Sequence, residues 1–449
     1  MTEIKAKSPD RSGLRWVRNN LDYLEPRWTI NPDMTAIMET AKRTLDIQGP
    51  CSIGFLTDST FNKLYVVESA GQEVVVRVTL PIEPWLKTLS EIATLSWVRQ
   101  NTSLPVPDIL AYTADRSNPI EFEWIIMNKI PGEPLADVWK EIPYSAKEQL
   151  ILRIALFFSE TFESQMRGIG NIFPDVPSRQ TSTLSKLDAA TISCALSNLS
   201  AAADFPSQRP HENSEVGTSS APSFTVQRLV SYSFIGEHPY SKLSCARLDF
   251  VELDCSIRLR RHDDVEFLET AMILITRLRN HLKDAFPSTG IEMASTVIFH
   301  GNMDSRKILV DKVGNLTAVV DWECVSALPL WMACQYPPLL QSKPRDVEPN
   351  KSSYQHDENG EVTALFWEHL EHYELTQLRR VFIVEMERLQ PEWVAIHKYT
   401  HHQRDFELAV TLCDDELFMN RVRKWLDDLD SGAEVVVGLR ERLDTACDL

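Results

Sequence analysis

The chain has 449 residues and a formal net charge of −18, a balance that argues against nucleic acid or an anionic membrane surface as its main partner. Hydrophobic residues at 43% and charged residues at 24% are ordinary for a globular fold, and the length leaves room for two or three domains with sizeable cores. Eight cysteines, at 51, 194, 245, 255, 324, 334, 413 and 447, make no CxxC pair and no Cys/His cluster, so reduced thiols are expected rather than a disulfide framework or a zinc site.

Residues 1–50 are a polar lead-in, and the stretch Met1–Trp16 has no apolar core of the signal-peptide kind. A cytoplasmic location is the expectation; a mitochondrial presequence stays open, with Glu3 and Asp10 counting against it. A helix is predicted over Pro32–Asp46, with Asn31-Pro32 as its cap and first turn. From Cys51 the period shortens. Ser52–Leu56, Lys63–Glu68 and Glu73–Thr79 read as strands, the last two joined around Ala70-Gly71-Gln72. Leu86–Gln100 reads as a helix carrying Glu91, and LPVPDILAY (104–112) and FEWIIMNKI (122–130) as two more strands. These fill a small lobe over 51–131, which Pro131-Gly132 closes.

A helical second lobe starts over 132–177, with a predicted helix from Leu135 to Thr161 and a glycine turn in RGIGNIF (167–173). Residues 178–223, dominated by Ser, Thr, Ala, Pro and Asn, read as a flexible insertion with one weak helix near Leu184–Ala201. Ordered patterning resumes over 224–430, with helices at Phe267–Phe286, Thr363–Leu389, Arg404–Cys413 and Glu416–Leu429. A tail over 431–449 ends the chain. No internal repeat is visible, and no run approaches the roughly 18 apolar residues of a membrane span.

Within the second lobe lies VIFHGNMDSRKILVDKVGNLTAVVDWEC (297–324). Two β-branched runs, Ile308–Asp311 and Leu316–Asp321, flank a Lys-Val-Gly-Asn turn, which predicts a hairpin. A polar loop precedes it and Asp321 stands at its far end. Asp321 is a candidate hard-oxygen ligand for a metal, with a turn-capping carboxylate as the plainer reading. Arg77 and Glu91, on a strand and the next helix, read as an ion pair. The His401-His402 pair has no metal-like spacing with acidic partners and reads as surface.

FNKLYVV, VVVRVTLP, the Glu91 helix, FEWIIMNKIPGEPL, RGIGNIF and VVDWECVSALPLW, taken together, resemble the aminoglycoside phosphotransferase/choline kinase-like family. The likeness is greatest to the fungal branch that shares the DWECVSALPLW wording, and it covers roughly 50–175 and 225–430. It implies an α+β, protein-kinase-like two-lobe fold, with a small antiparallel sheet plus helix in one lobe and a mainly helical other lobe. It also implies ATP and Mg2+ as cofactors and transfer of the γ-phosphoryl group to a small-molecule hydroxyl.

Carried over residue by residue, the resemblance makes Asp58–Lys63 the loop over the phosphates, with Ser59 and Asn62 in it and no glycine where the family usually has one. Arg77, paired with Glu91, would neutralise the phosphates; Met127–Ile130, including Lys129, would run along the adenine; Asp321 would hold the metal. His300 would brace the loop by hydrogen bonds. The family's catalytic aspartate falls on Asn302 and its metal-binding asparagine on Lys307. An amide has no useful basicity, and an ammonium repels magnesium where a neutral oxygen is needed, although it suits a phosphate. Weak or absent activity follows, a pseudokinase. The alternatives are an active kinase using Asp304 or a substrate-assisted route, and a decayed paralogue. The partners expected are a nucleotide and either a small hydroxyl acceptor or a protein.

Overall fold

The computed structural model describes residues 11–18, 24–174, 224–227, 229–230, 243–260, 265–287, 295–356, 360–432 and 437–445. The predicted insertion at 178–223, with its helix near Leu184–Ala201, lies outside the described residues. The first described elements are two strands that sequence reading missed, β1 (Leu14–Arg18) and β2 (Leu24–Trp28), paired antiparallel. Helix α1 (Met34–Thr44) follows, capped by Asp33 rather than by Asn31: the Asp33 carboxylate accepts from the Thr35 amide at 2.8 Å.

The small lobe is an antiparallel sheet in the order β3-β4-β5-β7-β6. Its strands are β3 (Ser52–Asp58), β4 (Asn62–Ser69), β5 (Gln72–Thr79), β6 (Ile109–Thr113) and β7 (Glu123–Asn128). Between β4 and β5 stand only Ala70 and Gly71, with φ of 51° and 79°, the double left-handed turn that matches the twist of a hairpin. One sheet face packs Tyr65, Val67, Val76, Val78 and Ile126 against Ile37 and Ala41 of α1. The other packs Ile125 against Leu89 and Ile92 of α2 (Leu86–Asn101). Helix α2 is buried on nearly every side, polar residues included. Its N-terminus is held from outside: the Glu123 carboxylate of β7 accepts from the Trp85 amide at 2.8 Å and the Thr88 hydroxyl at 2.5 Å, a charge suited to a helix N-terminus.

The second lobe is mainly helical. The short strand β8 (Glu133–Pro134) leads into α3 (Leu135–Val138) and α4 (Tyr144–Glu163). The single helix predicted from Leu135 to Thr161 is therefore two, because Pro143 cannot continue a helix and disfavours helical backbone at Ile142. Strands β9 (Met166–Arg167), β10 (Ile172–Pro174) and β11 (Phe224–Val226) come next. Then come α5 (Leu243–Arg260), α6 (Val265–Ala285), β12 (Ser295–Phe299), and the hairpin β13 (Ile308–Val310) and β14 (Leu316–Val319). Strand β15 (Ser326–Pro329), α7 (Leu330–Ala333), α8 (Ala364–Leu389), α9 (Pro391–Tyr399), α10 (His401–Leu412), α11 (Met419–Asp430) and α12 (Leu439–Thr445) complete it. The last of these lies where a tail was predicted, with Leu439 fully buried.

The main core joins α4, β12 and α8: Phe158 meets Phe299, Phe382 and Trp393 edge-on, with ring centroids 6.2, 5.5 and 6.4 Å away. Each such fully buried aromatic contributes about 1.5–3 kcal/mol relative to exposure. A second core unites α5, α6, α10, α11 and α12 around Leu268, Leu278, Phe406 and Trp425. The architecture is α+β, with the two-lobe layout of a protein kinase: a five-stranded antiparallel sheet with α2 behind it, one crossing at Asn128–Glu133, and a helical lobe.

Two glycines hold the hairpin β13–β14 in place. Gly132 (φ 129°) lies so close to it that a Cβ would come 2.6 Å from the Val310 carbonyl oxygen and 2.8 Å from Thr317 Oγ1. In the hairpin turn a Cβ on Gly314 (φ 92°) would sit 2.6 Å from Ile142. Any other residue there pushes apart the lobe crossing or the hairpin and α4.

Candidate functional site

A cavity of about 380 Å³ lies between the lobes. Its roof is the β3–β4 turn, Ser59–Phe61; its floor is the loop after β12 and the segment after β14. The floor is made rigid by two buried rings. His300 is 1% exposed; its Nδ1 faces the Asn302 amide at 3.3 Å, so Nε2 carries the proton and donates to the Val320 carbonyl at 3.3 Å. Burial keeps this imidazole's pKa below the ordinary histidine value, against the pull of Asp321. Trp322 stacks edge-on against His300 with centroids 4.8 Å apart and donates its indole N–H to the Val319 carbonyl at 2.9 Å. Between them Asp321 takes a left-handed backbone, φ 70°, a conformation aspartate tolerates better than most residues.

Four of the residues singled out from sequence, Ser59, Asn302, Lys307 and Asp321, line this one cavity. The ammonium of Lys307 lies 2.5 Å from Asp321 Oδ2. Asp321 is thus already paired with a cation, and among the described residues no group of three or more His, Cys, Asp or Glu side chains is placed to hold a metal. A divalent ion about 4 Å from the ammonium would meet a repulsion of about 8 kcal/mol at an effective dielectric constant of about 20, which offsets much of what Asp321 would contribute as its ligand. The residues present do not fit magnesium.

Behind the cavity sits a buried polar network. Arg77 Nη1 donates to Glu91 Oε1 at 2.5 Å, and Nη2 donates to Oε2, a bidentate pair with both residues almost fully buried. Burial alone would lower the Arg77 pKa; Glu91, with Glu323 and Asp321 beyond it, raises it and keeps the guanidinium charged. Burial raises the Glu91 carboxyl, with Arg77 pulling the other way. Beside them Lys87 Nζ lies 2.5 Å from Glu323 Oε2. Asn62 donates to the same Glu323 oxygen at 2.8 Å and accepts from Thr79 Oγ1 at 3.0 Å and from Lys87 at 3.3 Å. Lys87 and Glu323 are members of the site that sequence reading missed. Lys87 looks like an ordinary surface lysine on α2, and only its place among apolar and small residues hinted at burial.

Several expected site residues lie elsewhere. Asn62 is 2% exposed and belongs to the buried network rather than to the cavity lining. Met127 is set inside β7 opposite Val75 and Ile109, and Lys129 reaches Glu73 at 2.7 Å; neither lines the cavity. Asp304 does not line it either. Its carboxylate accepts from the Arg306 amide and guanidinium, both at 2.8 Å. Although burial opposes it, Arg306 holds the pKa of Asp304 below the usual carboxylate value. Asp304 thus stands off the cavity lining with its carboxylate turned onto Arg306. At Ser59 the hydroxyl accepts from the amides of Asn62 (3.1 Å) and Phe61 (3.4 Å). Those amides are thereby spent on the loop itself, where a glycine would leave them free for an anion.

A second cavity of about 270 Å³ lies within the helical lobe beside Arg379, His397 and Arg404. Its two half-buried arginines are committed to the backbone: Arg404 donates to the carbonyls of Trp331, Cys334 and His397, and Arg379 to those of Leu340 and Ser342.

No family model matches the chain. A subtelomeric hrmA-associated cluster protein of Aspergillus fumigatus is 29% identical over 124 residues, 27% of this chain and 24% of that protein. The chain thus spans about a quarter of the length of that relative. The mitochondrial protein named altered inheritance of mitochondria protein 9, of Meyerozyma guilliermondii, is 29% identical over 148 residues, 31% of this chain and 24% of that one. Clavilactone A biosynthesis cluster protein Y of Ampulloclitocybe clavipes is 24% identical over 326 residues, 70% of each. Among solved structures, aminoglycoside phosphotransferase APH(4)-Ia in a ternary complex with AMP-PNP and hygromycin B is 14% identical, with a TM-score of 0.43, over 89% of this chain and 100% of that one. The GDP complex of aminoglycoside 2'-phosphotransferase-IIIa is 12% identical, with a TM-score of 0.41, over 91% and 94%. The chain is similar to aminoglycoside phosphotransferases at this level, and the fold assignment rests on the strand order and contacts described above.

Proposed function

We propose that this chain is a kinase-like protein of the phosphotransferase family whose inter-lobe cleft binds nucleotide and whose transfer of the ATP γ-phosphoryl group to a small-molecule hydroxyl is weak or absent. The observation that carries the reading is the cavity floor. Asn302, the residue that the resemblance aligns with a catalytic base, presents an amide to the cavity, and the carboxylate of the same loop, Asp304, is turned onto Arg306. Orienting an acceptor hydroxyl and taking its proton needs a base within hydrogen-bond reach. Asn302 can orient by hydrogen bonding; it cannot take the proton.

The rest of the cleft supports binding. The Arg77–Glu91 pair fixes α2 against the sheet, and Lys307 supplies a cation at the wall. On this reading the partner besides nucleotide is a small hydroxyl compound or a protein, and the location is cytoplasmic, with mitochondria the alternative that one relative's name raises. The test is transfer of phosphate from ATP to a panel of amino-alcohols and aminoglycosides. The wild type should stay near background. Asn302→Asp combined with Lys307→Asn should raise turnover by about 10²–10⁴-fold, the usual worth of a general base. Equal turnover by the two proteins sinks the proposal and revives an active kinase working by a substrate-assisted route.

A further inference from the structure

Charges around the cleft close without an added metal. Arg77, Lys87 and Lys307 face Glu91, Glu323 and Asp321, three cations against three carboxylates. Arg77, Glu91 and Lys87 are buried and Glu323 shows only an edge to the cavity, whereas Lys307 and Asp321 stand at its wall with side chains 25% and 20% exposed. Lysine is a compact charge on a flexible stem, able to exchange one oxygen partner for another by rotation. Every other cation of the cluster is buried and held by its carboxylate, so a polyphosphate entering the cavity meets one movable positive group. After the exchange Asp321, 20% exposed at the cavity wall, is left to water and to the more distant field of Arg77.

We infer that the cleft takes up a nucleoside di- or triphosphate as the metal-free anion, with Lys307 turning from Asp321 to the phosphate chain and supplying the charge that magnesium supplies in a working kinase. Magnesium then opposes binding, because the metal–nucleotide complex brings a divalent cation against Lys307. This rests on the reading of the cleft as a nucleotide site and adds to it which form of the nucleotide is bound and which residue decides that.

The experiment is calorimetric titration of the full chain with ATP and with ADP, once in EDTA and once in excess Mg2+, with a melting curve to confirm folding. Saturable binding in EDTA that weakens in Mg2+ is the expected result. Lys307→Asn should reverse the order: its affinity in EDTA falls about tenfold or more, the worth of one charge-assisted hydrogen bond, and Mg2+ restores it. Lys307→Arg, keeping the charge, should still bind in EDTA. Tripolyphosphate should bind more weakly than ATP; equal affinity overturns the nucleoside part of the inference. Wild-type binding that requires Mg2+ overturns the inference and leaves the nucleotide reading standing. No binding of either nucleotide by folded protein removes the nucleotide reading and the inference with it. The wild-type comparison decides the matter even where a variant fails to fold.

Discussion

Two ion pairs belong to the cleft, one buried behind it and one on its wall, and they differ in their access to water. Arg77–Glu91 joins a central strand to a helix buried on nearly every side, and water reaches neither partner. Lys307–Asp321 closes the base of a hairpin at the cavity wall, where both side chains keep contact with solvent. A sealed pair is costly to break because the survivor is a charge out of water. An open pair is cheap to break because water and salt replace the partner. The sealed pair therefore fixes geometry, and the open one is available to a ligand. The same alteration, one charge removed, should distinguish them.

Glu91→Ala gives the largest effect: a loss of about 3–5 kcal/mol of stability in urea unfolding, from the stranded Arg77 guanidinium. A loss under about 1 kcal/mol would show that the pair is wetter than its burial says and would break the contrast. Next comes pH. His397 is packed against Trp393 with its Nδ1 on the Cys334 carbonyl at 3.0 Å, and burial lowers its pKa from 6.5 to about 4. The unfolded chain then binds the proton that the folded chain refuses, so stability is full above about pH 6.5 and falls as pH drops from there toward 4. The loss reaches on the order of 2–3 kcal/mol by linkage. His300, lowered in the same direction by burial, adds to the slope. Urea midpoints at pH 7 and pH 5 should show the loss in the wild type and a smaller one in His397→Gln; identical losses would remove His397 from the account.

For the open pair, Lys307→Ala should cost about 1 kcal/mol or less, with a cleft that still folds. Smallest of all is Arg306→Ala, which removes an exposed guanidinium from a half-buried carboxylate and should move stability by less than about 0.5 kcal/mol. It should also leave phosphoryl transfer at background, since Asp304 lies off the cavity. A gain in turnover there would mean that the loop rewinds to bring Asp304 in.

What the sequence made legible follows from periodicity. The five strands of the small lobe, the Glu91 helix and the hairpin after His300 stand out because each has a short, regular pattern between turn residues. The Arg77–Glu91 pair was legible because its two residues sit on adjacent elements. Contacts that depend on distant segments were not. Lys87 meets Glu323 and Asn62 across hundreds of residues or across the sheet, and nothing local marks a lysine as buried. Spacing alone puts Asp304 near Asn302, and nothing local marks Arg306, only two residues away, as the partner that turns its carboxylate aside. The β1–β2 pair has Pro26 inside its second strand, which hides the strand pattern.

The tie through Lys87, Asn62 and Glu323 also governs movement. It anchors the small lobe to the segment after β14 at the back of the cleft, while the chain crossing at Asn128–Glu133 anchors it at the edge. Swinging the lobes apart like jaws would draw a buried lysine away from its glutamate. If the cleft takes a ligand, the exposed Ser59–Thr60 tip is the part of its roof that can yield without breaking this tie.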